Sequence, residues 1–323
     1  MKEFIINENE AGQRFDKYLA KLLREAPKSF FYKMMRKKNI TLNGKKATGN
    51  EKLFSGDHVK LFLSDETFEK FSGNDSAPRA HYALDIIYED ENILLINKPA
   101  GMLSQPADDG TPSLVEYLTG YLLKNGSLTE NDLRTFRPSV CNRLDRNTCG
   151  IVIAAKNAKA LAILNQKIRD RELEKKYLCM VYGVPKEKSA TLPDFLYKDK
   201  AENRVYIAST RAALKKAHRI KYDDDIKTVI TKYRVLKAYE DRSLLEVELI
   251  TGRTHQIRAH LAFIGHPIVG DGKYGVNHKK TTGKQFQMLC SYYLKFCFRT
   301  DAGILSYLNG RTFRSHFDLD STR

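Results

Sequence analysis

One acid stands between two arginines in the stretch Asn142-Arg143-Leu144-Asp145-Arg146-Asn147-Thr148-Cys149-Gly150. Opposite charges on either side favour the ionised carboxylate, and a charged acid in a basic setting suggests a catalytic group in a site for nucleic acid. The apolar run Ile151-Val152-Ile153-Ala154-Ala155 follows and reads as a buried strand. Asp145 therefore belongs to a loop that leads into a sheet. Taken alone, an Arg-x-Asp segment more often marks a structural ion pair. Two other segments set polar side chains beside apolar strands. Lys176-Tyr177-Leu178 opens a strand that ends at Gly183. Thr251-Gly252-Arg253-Thr254-His255-Gln256-Ile257-Arg258 follows a strand over residues 244–250 and reads as a turn entering a helix that carries Arg258.

Other chemistries find less support. His255 and His260 are five apart and fall on different helical faces, so the i, i+4 spacing of a helical zinc pair is missing. The five cysteines contain no CxxC pair, which argues against a zinc ribbon or a disulfide framework. No metal site is expected. Thr281-Thr282-Gly283-Lys284 lacks the first glycine of a phosphate-binding loop. Asp108-Asp109, beside Gly110 and Pro112, marks a turn rather than a pair of acids for glycoside hydrolysis.

The elements that must position these groups belong to a large domain over residues 82–323. Ile93 to Ile96 is a short apolar strand stopped by the turn Asn97-Lys98-Pro99-Ala100-Gly101. Leu114, Tyr117, Leu118 and Tyr121 share one face of a helix over residues 113–123. Asn157 caps a second helix carrying Leu161, Leu164 and Ile168. Gly265-His266-Pro267 closes the helix of Arg258, and Gly270-Asp271-Gly272 is a tight turn. Strands and helices mix without a regular βαβ alternation. The expected fold class is α+β, with a mixed or mainly antiparallel central sheet and peripheral helices.

Charge singles out a different region. The chain has 323 residues and a net charge of +16. Residues 12–63 hold thirteen Lys or Arg against four Asp or Glu. A polyanionic partner follows from that excess. Phe15, Leu19, Leu22 and Leu23 recur at helical spacing up to Pro27; Ser29 is placed to cap a second helix from Phe30 to Lys38, which ends in Arg36-Lys37-Lys38. Ile40-Thr41-Leu42 and Asn43-Gly44 signal a hairpin. This gives a small α/β domain over residues 1–63. Arg14, Lys33, Arg36, Lys37 and Lys38 are its candidate RNA contacts. Residues 64–81 are polar and acidic, with Gly73 and Pro78, and read as a flexible linker. No run reaches the roughly 18 apolar residues of a spanning helix, and the first ten residues lack the apolar core of a signal peptide. A soluble, cytoplasmic, monomeric protein is expected, with no membrane partner.

Residues 12–63 resemble the S4 RNA-binding domain through Arg14-Phe15-Asp16-Lys17-Tyr18-Leu19, the basic second helix, Ile40-Thr41-Leu42-Asn43-Gly44 and Gly56-Asp57-His58-Val59. From about residue 83 to 300 the chain resembles the RluA-type pseudouridine synthases. Arg143-Leu144-Asp145 with Thr148 and Gly150 matches that family's signature around its catalytic aspartate. Lys176-Tyr177-Leu178 matches its active-site tyrosine segment, and Thr251 to Arg258 its basic motif. Asn97-Lys98-Pro99 and Gly265-His266-Pro267 through Tyr274-Gly275 fit further landmarks. Two positions depart from the pattern: Asn142 stands where His is common, and Cys149 where Ser is common. Asn142 does not titrate, so no acid–base role is assigned to it, and Cys149 is read as packing.

The resemblance implies an isomerase that converts uridine in RNA to pseudouridine without cofactor or metal. Asp145 is then the nucleophile or the base. Arg253 is the expected partner that holds Asp145 as a bidentate fork, with Arg258 the lesser candidate. Tyr177 is expected against the flipped uracil, and Arg143 in the vacated stack or on a phosphate. Large-subunit ribosomal RNA is the favoured substrate over transfer RNA. The alternatives are a non-catalytic RNA-binding or ribosome assembly protein on the same fold, a tRNA-directed synthase, and an RNA or nucleoside hydrolase using the same acid.

Overall fold

The computed structural model describes residues 1–73, 82–130, 132–275 and 286–315. The segment Thr281 to Lys284 and the second half of the expected linker lie outside them.

The amino-terminal module orders its elements as β1 (Lys2–Ile5), α1 (Phe15–Leu22), α2 (Lys28–Arg36), β2 (Ile40–Leu42), β3 (Lys45–Lys46), β4 (His58–Leu61) and α3 (Asp65–Ser72). The four strands form one antiparallel sheet in the order β1-β4-β2-β3. Phe15, Leu19, Phe31, Met35, Ile40, Val59 and Leu61 bury together between sheet and helices. Asn43 and Gly44 both take positive φ, 50° and 73°, as a tight hairpin between β2 and β3 requires.

Two expectations for this module need correction. Helix α2 starts at Lys28, with Pro27 in the cap position, so Ser29 lies inside the first turn and caps nothing. Proline has no amide to satisfy and a fixed φ, which suits it to a helix start. The first part of the expected linker over residues 64–81 is not loose chain. Ser64 caps α3 by accepting from the Thr67 amide at 3.2 Å, and Asp65 and Glu66 occupy the first turn, where acids favour the helix dipole. Phe68 of α3 is buried against Phe4, and Phe71 packs on Phe30 at 4.6 Å between ring centroids. The acidic stretch is helix-start chemistry on an amphipathic turn, not loose chain.

The module sits directly on the large domain. Asn7 donates to Asp132, Thr135 donates to Glu10, and Arg24 donates to the carbonyls of Leu133 and Arg134.

The large domain contains β5 (Ile86–Glu89), β6 (Ile93–Lys98), α4 (Leu114–Lys124), β7 (Ser139–Val140), β8 (Cys149–Ala155), α5 (Ala158–Arg169), β9 (Leu173–Tyr182), β10 (Ser189–Asp199), β11 (Arg204–Ala208), α6 (Arg211–His218), β12 (Ile226–Ala238), β13 (Arg242–Leu249), α7 (Gln256–Phe263), β14 (Leu289–Phe296) and β15 (Thr312–Arg314). Nine strands line up as β11-β10-β12-β13-β9-β14-β8-β6-β5, with β15 and β7 attached to β14 and β8. The pairing of β14 with β8 is parallel and the other pairs are antiparallel, which gives the mixed α+β sheet expected. Strands β6 and β8 are buried on both faces. Leu94, Ile96, Val152 and Ala154 meet Leu114, Leu118 and Leu122 of α4. Ile93, Leu95, Ile151 and Ile153 meet Ala160 and Leu164 of α5, with Leu305 and Leu308 beyond. Burial on both faces explains why these strands read as continuous apolar runs.

Candidate active site

A single row across the sheet sets the two sides of the site. Ser291 of β14 pairs with Gly150 of β8 on one side and with Tyr177 of β9 on the other. Gly150 has φ +109°, and a Cβ there would collide with the Ser291 backbone. Glycine is required because two parallel strands approach closely at that point. Asp145 precedes this glycine on a loop fixed from several directions. Ser104 Oγ donates to the Leu144 carbonyl at 2.7 Å and accepts from the Leu144 amide at 3.1 Å. Gln287 donates to Thr148 Oγ1 at 2.6 Å. Lys98, with no exposed surface, donates to the carbonyls of Pro99, Met102 and Arg146 at 2.9, 2.8 and 3.1 Å. Burial pushes its pKa down to about 8 against the pull of Cys149 and Asp145. The buried Asn142 ties the same loop to β8: its Oδ1 accepts from the Ile153 amide at 2.8 Å and its Nδ2 donates to Ile151 O. Asn142 thus works through backbone geometry. Cys149, half-buried, donates to the Leu289 carbonyl at 3.5 Å.

The partner of Asp145 is Arg258, not Arg253. Arg258 Nη1 donates to Asp145 Oδ2 at 2.8 Å. Its Nε and Nη2 form a fork onto Asp271, at 2.7 and 2.9 Å. Helix α7 begins at Gln256, which puts Arg258 in its first turn and buries it. Arg253 stays in the exposed loop ahead of the helix, where its amide donates to Gln256 Oε1 at 3.0 Å. Burial works against the Arg258 charge, but the carboxylates of Asp271 and Asp145 outweigh it and raise its pKa. For Asp271, burial is likewise outweighed, by the bonds from Arg258 and by the amides of Lys273 and Tyr274, and its pKa falls. The guanidinium also lies over the Tyr274 ring, 5.2 Å from its centroid. His255 bridges the two walls, with Nδ1 2.8 Å from Tyr274 Oη and Nε2 3.9 Å from Asp145 Oδ2. Burial lowers its pKa, the Asp145 charge opposing.

Helix α7 is itself locked. Thr251, Gln256, Thr231, His260 and Asp194 form a chain of hydrogen bonds under it, with His260 between Thr231 Oγ1 at 2.9 Å and Asp194 Oδ2 at 2.8 Å. Gln256 Nε2 donates to Thr231, so the threonine hydroxyl is free to donate to His260 Nδ1. The imidazole then donates from Nε2 to Asp194, and all three groups are satisfied with His260 neutral. Burial lowers the pKa of His260, Asp194 opposing.

Asp145, Tyr177, Arg253, Arg143 and Arg258 all line one open cleft of about 1300 Å³. Nine Lys or Arg and three Asp or Glu line it. Tyr177 is buried, and burial pushes its phenol up to about 12, Asp145 adding to the shift and a hydrogen bond with Ser291 opposing it. Tyr177 is thus a protonated, mostly apolar surface near the carboxylate. Arg14, Lys33, Arg36, Lys37 and Lys38 lie on the amino-terminal module and take no part in this cleft. Lys33, Arg36, Lys37 and Lys38 are exposed. Arg14 folds back as a fork onto Asp16, at 3.0 and 2.9 Å, which offsets its charge.

A smaller hollow of about 580 Å³ lies beside α4, walled by Tyr82, Tyr117 and Tyr121, and Lys124 is the one charge among its described lining residues. It offers no acid–base pair. Among the described residues no group of three or more His, Cys, Asp or Glu is placed to hold a metal ion, and no helix is long and apolar enough to cross a membrane.

The sequence reading missed Asp271, Tyr274 and Lys98 as parts of the site. Asp271 read only as a turn residue, although an acid between two glycines and ahead of a tyrosine is the available signal. Lys98 carried a clearer one: a lysine ending an apolar strand immediately before proline.

A carboxylate held by a fixed arginine, beside a buried tyrosine and in a cationic cleft, has the chemical means for nucleophilic or base chemistry on a polyanion. Comparisons with known proteins agree with this class. Residues 92–263 match the family model described as RNA pseudouridylate synthase. The chain is 30% identical over 275 residues to an uncharacterized RNA pseudouridine synthase, YlyB, of Bacillus subtilis, covering 83% of this chain and 81% of that one. It is 32% identical over 281 residues to a ribosomal large subunit pseudouridine synthase C of Vibrio parahaemolyticus, covering 84% and 79%. The structure of human RNA pseudouridylate synthase domain containing 4 shares the fold, with a TM-score of 0.55 at 20% identity, over 73% of this chain and 89% of that one. The chain belongs to the RNA pseudouridylate synthase family, of the RluA type, and is an isomerase.

Proposed function

We propose that this enzyme isomerises uridine to pseudouridine in large-subunit ribosomal RNA, with Asp145 as the group that opens the reaction. The observation that carries the reading is the Asp145–Arg258–Asp271 arrangement facing a cationic cleft beside Tyr177. The substrate assignment is supported by relatives that bear the name ribosomal large subunit pseudouridine synthase C, at about 30% identity over most of the chain.

The N1–C1′ bond of uridine breaks, the uracil turns, and a C5–C1′ bond forms. N1 gains a proton and C5 loses one, so atoms balance without redox change and without added water. Asp145 either attacks C1′ or removes a sugar proton to generate an eliminated intermediate; a carboxylate serves in both. Arg258 is the positioning residue that orients it. The protonated Tyr177 ring supplies a face for the uracil once the nucleotide has left its stack, a step that costs a few kcal/mol. The exposed Arg143 and Arg253 are left to meet the RNA. The amino-terminal module, with Lys33, Arg36, Lys37 and Lys38 exposed on and after α2, is inferred to be an S4-like RNA-binding domain.

Tritium release from RNA labelled at uridine C5 tests the reading. Wild-type protein should release tritium from ribosomal RNA of cells lacking the enzyme, and Asp145→Ala should not, a drop on the order of 10⁴-fold or more. Release by wild type from transfer RNA alone would redirect the substrate, and loss of free base from the RNA would mark a hydrolase.

A further inference from the structure

One end of the cleft carries cations that the chemistry at Asp145 does not use. Where α5 gives way to β9, Arg169, Arg171 and Lys175 line the cleft. Two of the three acids near them in sequence are paired with other cations. Glu172 is taken by Lys167 in a fully buried pair at 2.8 Å, Glu174 by Lys176 at 3.3 Å, and Asp170 accepts from Gln166 at 2.7 Å. The turn that presents them is built rigidly. Lys167 Nζ also donates to the Thr300 carbonyl at 2.7 Å, and the Glu172 carbonyl accepts from the Cys297 amide at 2.9 Å. Arg171 is held at φ +58°, in the left-handed region that a branched-off side chain rarely adopts.

Lys175 is the innermost of the three. It is two residues before Tyr177 on β9, so both side chains leave the same face of the strand, and both line the cleft. Lys175 is half-buried, and burial lowers its pKa with no neighbouring acid to oppose it. A desolvated cation without a counter-charge is unfavourable in the free protein, and an anionic ligand removes that penalty. Arg171 and Arg169, both exposed, continue the line outward.

We propose that Arg169, Arg171 and Lys175 form a phosphate track that binds the RNA backbone on one side of the target uridine. The proposal rests on RNA being the substrate. It adds a set of contacts separate from the amino-terminal module and from the Arg253 wall.

The test uses full-length protein and one ribosomal RNA fragment labelled at uridine C5. Binding by fluorescence polarisation and turnover by tritium release are both followed from low to high salt. In the variant Arg169→Ala/Arg171→Ala/Lys175→Met the slope of log affinity against log salt should flatten by about 2, since each phosphate contact contributes roughly 0.7–0.9. KM should rise by at least about tenfold. Lys175→Met alone should flatten the slope by about 0.7–0.9 and Lys175→Arg should restore it. A control that removes three exposed lysines elsewhere, Lys216→Ala/Lys221→Ala/Lys227→Ala, should keep the wild-type slope. A triple variant with wild-type slope and KM overturns the track. So does one whose turnover at saturating RNA falls while its slope stays unchanged. Wild-type protein that binds the RNA but releases no tritium would instead sink the functional reading, and the binding slopes would still decide the track.

Discussion

The Asp145 loop and the end of helix α2 are both crowded with Arg and Lys, and they are held in opposite ways. At Asp145 the loop is tied down by buried bonds: Arg258 is shared between two carboxylates, Lys98 grips three carbonyls, Ser104 braces the Leu144 backbone and Gln287 holds Thr148. At the end of α2, Lys33, Arg36, Lys37 and Lys38 stand in solvent. The difference matches the two uses of charge proposed above. Chemistry needs a group fixed within a fraction of an ångström, which takes buried hydrogen bonds and rigid elements. Affinity for a polyanion needs only a local excess of charge, and loose side chains provide it.

That contrast can be broken from its rigid side first. Arg258→Met removes the shared cation and leaves Asp271 buried without its counter-charge, held only by the Lys273 and Tyr274 amides. Stability should fall by about 3–5 kcal/mol in urea unfolding. Adding Asp271→Leu should recover part of that stability and none of the tritium release, because Asp145 still lacks its orienting arginine. Full recovery of turnover in the double variant would show that the ion pair serves folding alone. Gly150→Ala comes next: the left-handed backbone and the clash with Ser291 should lower stability by about 1–3 kcal/mol and turnover with it.

Acid should sharpen the contrast. His255 and His260 both have folded pKa values below the ordinary 6.5, chiefly through burial. The unfolded chain takes up their protons first as pH falls. Their contribution to stability is therefore complete above about pH 6.5 and is lost as pH drops through the lowered folded values, with a slope of up to two protons. Thermal melting from pH 8 to pH 5 should show this fall, and His260→Asn should flatten it. The smallest effect on stability belongs to the loose side. Replacing Lys33, Arg36, Lys37 and Lys38 with Ala should shift unfolding by no more than about 0.5 kcal/mol each. It should nevertheless weaken RNA binding and flatten its salt dependence. An unchanged salt slope would remove the module's proposed RNA role.

Much of this was legible in the chain. Apolar runs gave β6, β8 and β9, helical spacing gave α4 and α5, and the segments holding Asp145, Tyr177 and Arg258 pointed to one family. What stayed hidden was mostly non-local. Choosing between Arg253 and Arg258 needed the start of α7, since one turn of helix decides which of them is buried. Asp271 is thirteen residues beyond Arg258 and looks like any turn acid until the chain folds back. Helix α3 was masked by its own acidic first turn, which resembles linker composition. The place of β14 between β8 and β9 has no local signature at all, because strand order is not written in periodicity.

That placement has a consequence for the geometry of the site. Strand β14 comes after both β8 and β9 in the chain, yet it is the piece that joins the Asp145 strand to the Tyr177 strand. Without residues 289–296 in place, β8 and β9 have no shared neighbour in the sheet. The separation of the carboxylate and the phenol is thus set by a strand that follows both of them in the chain.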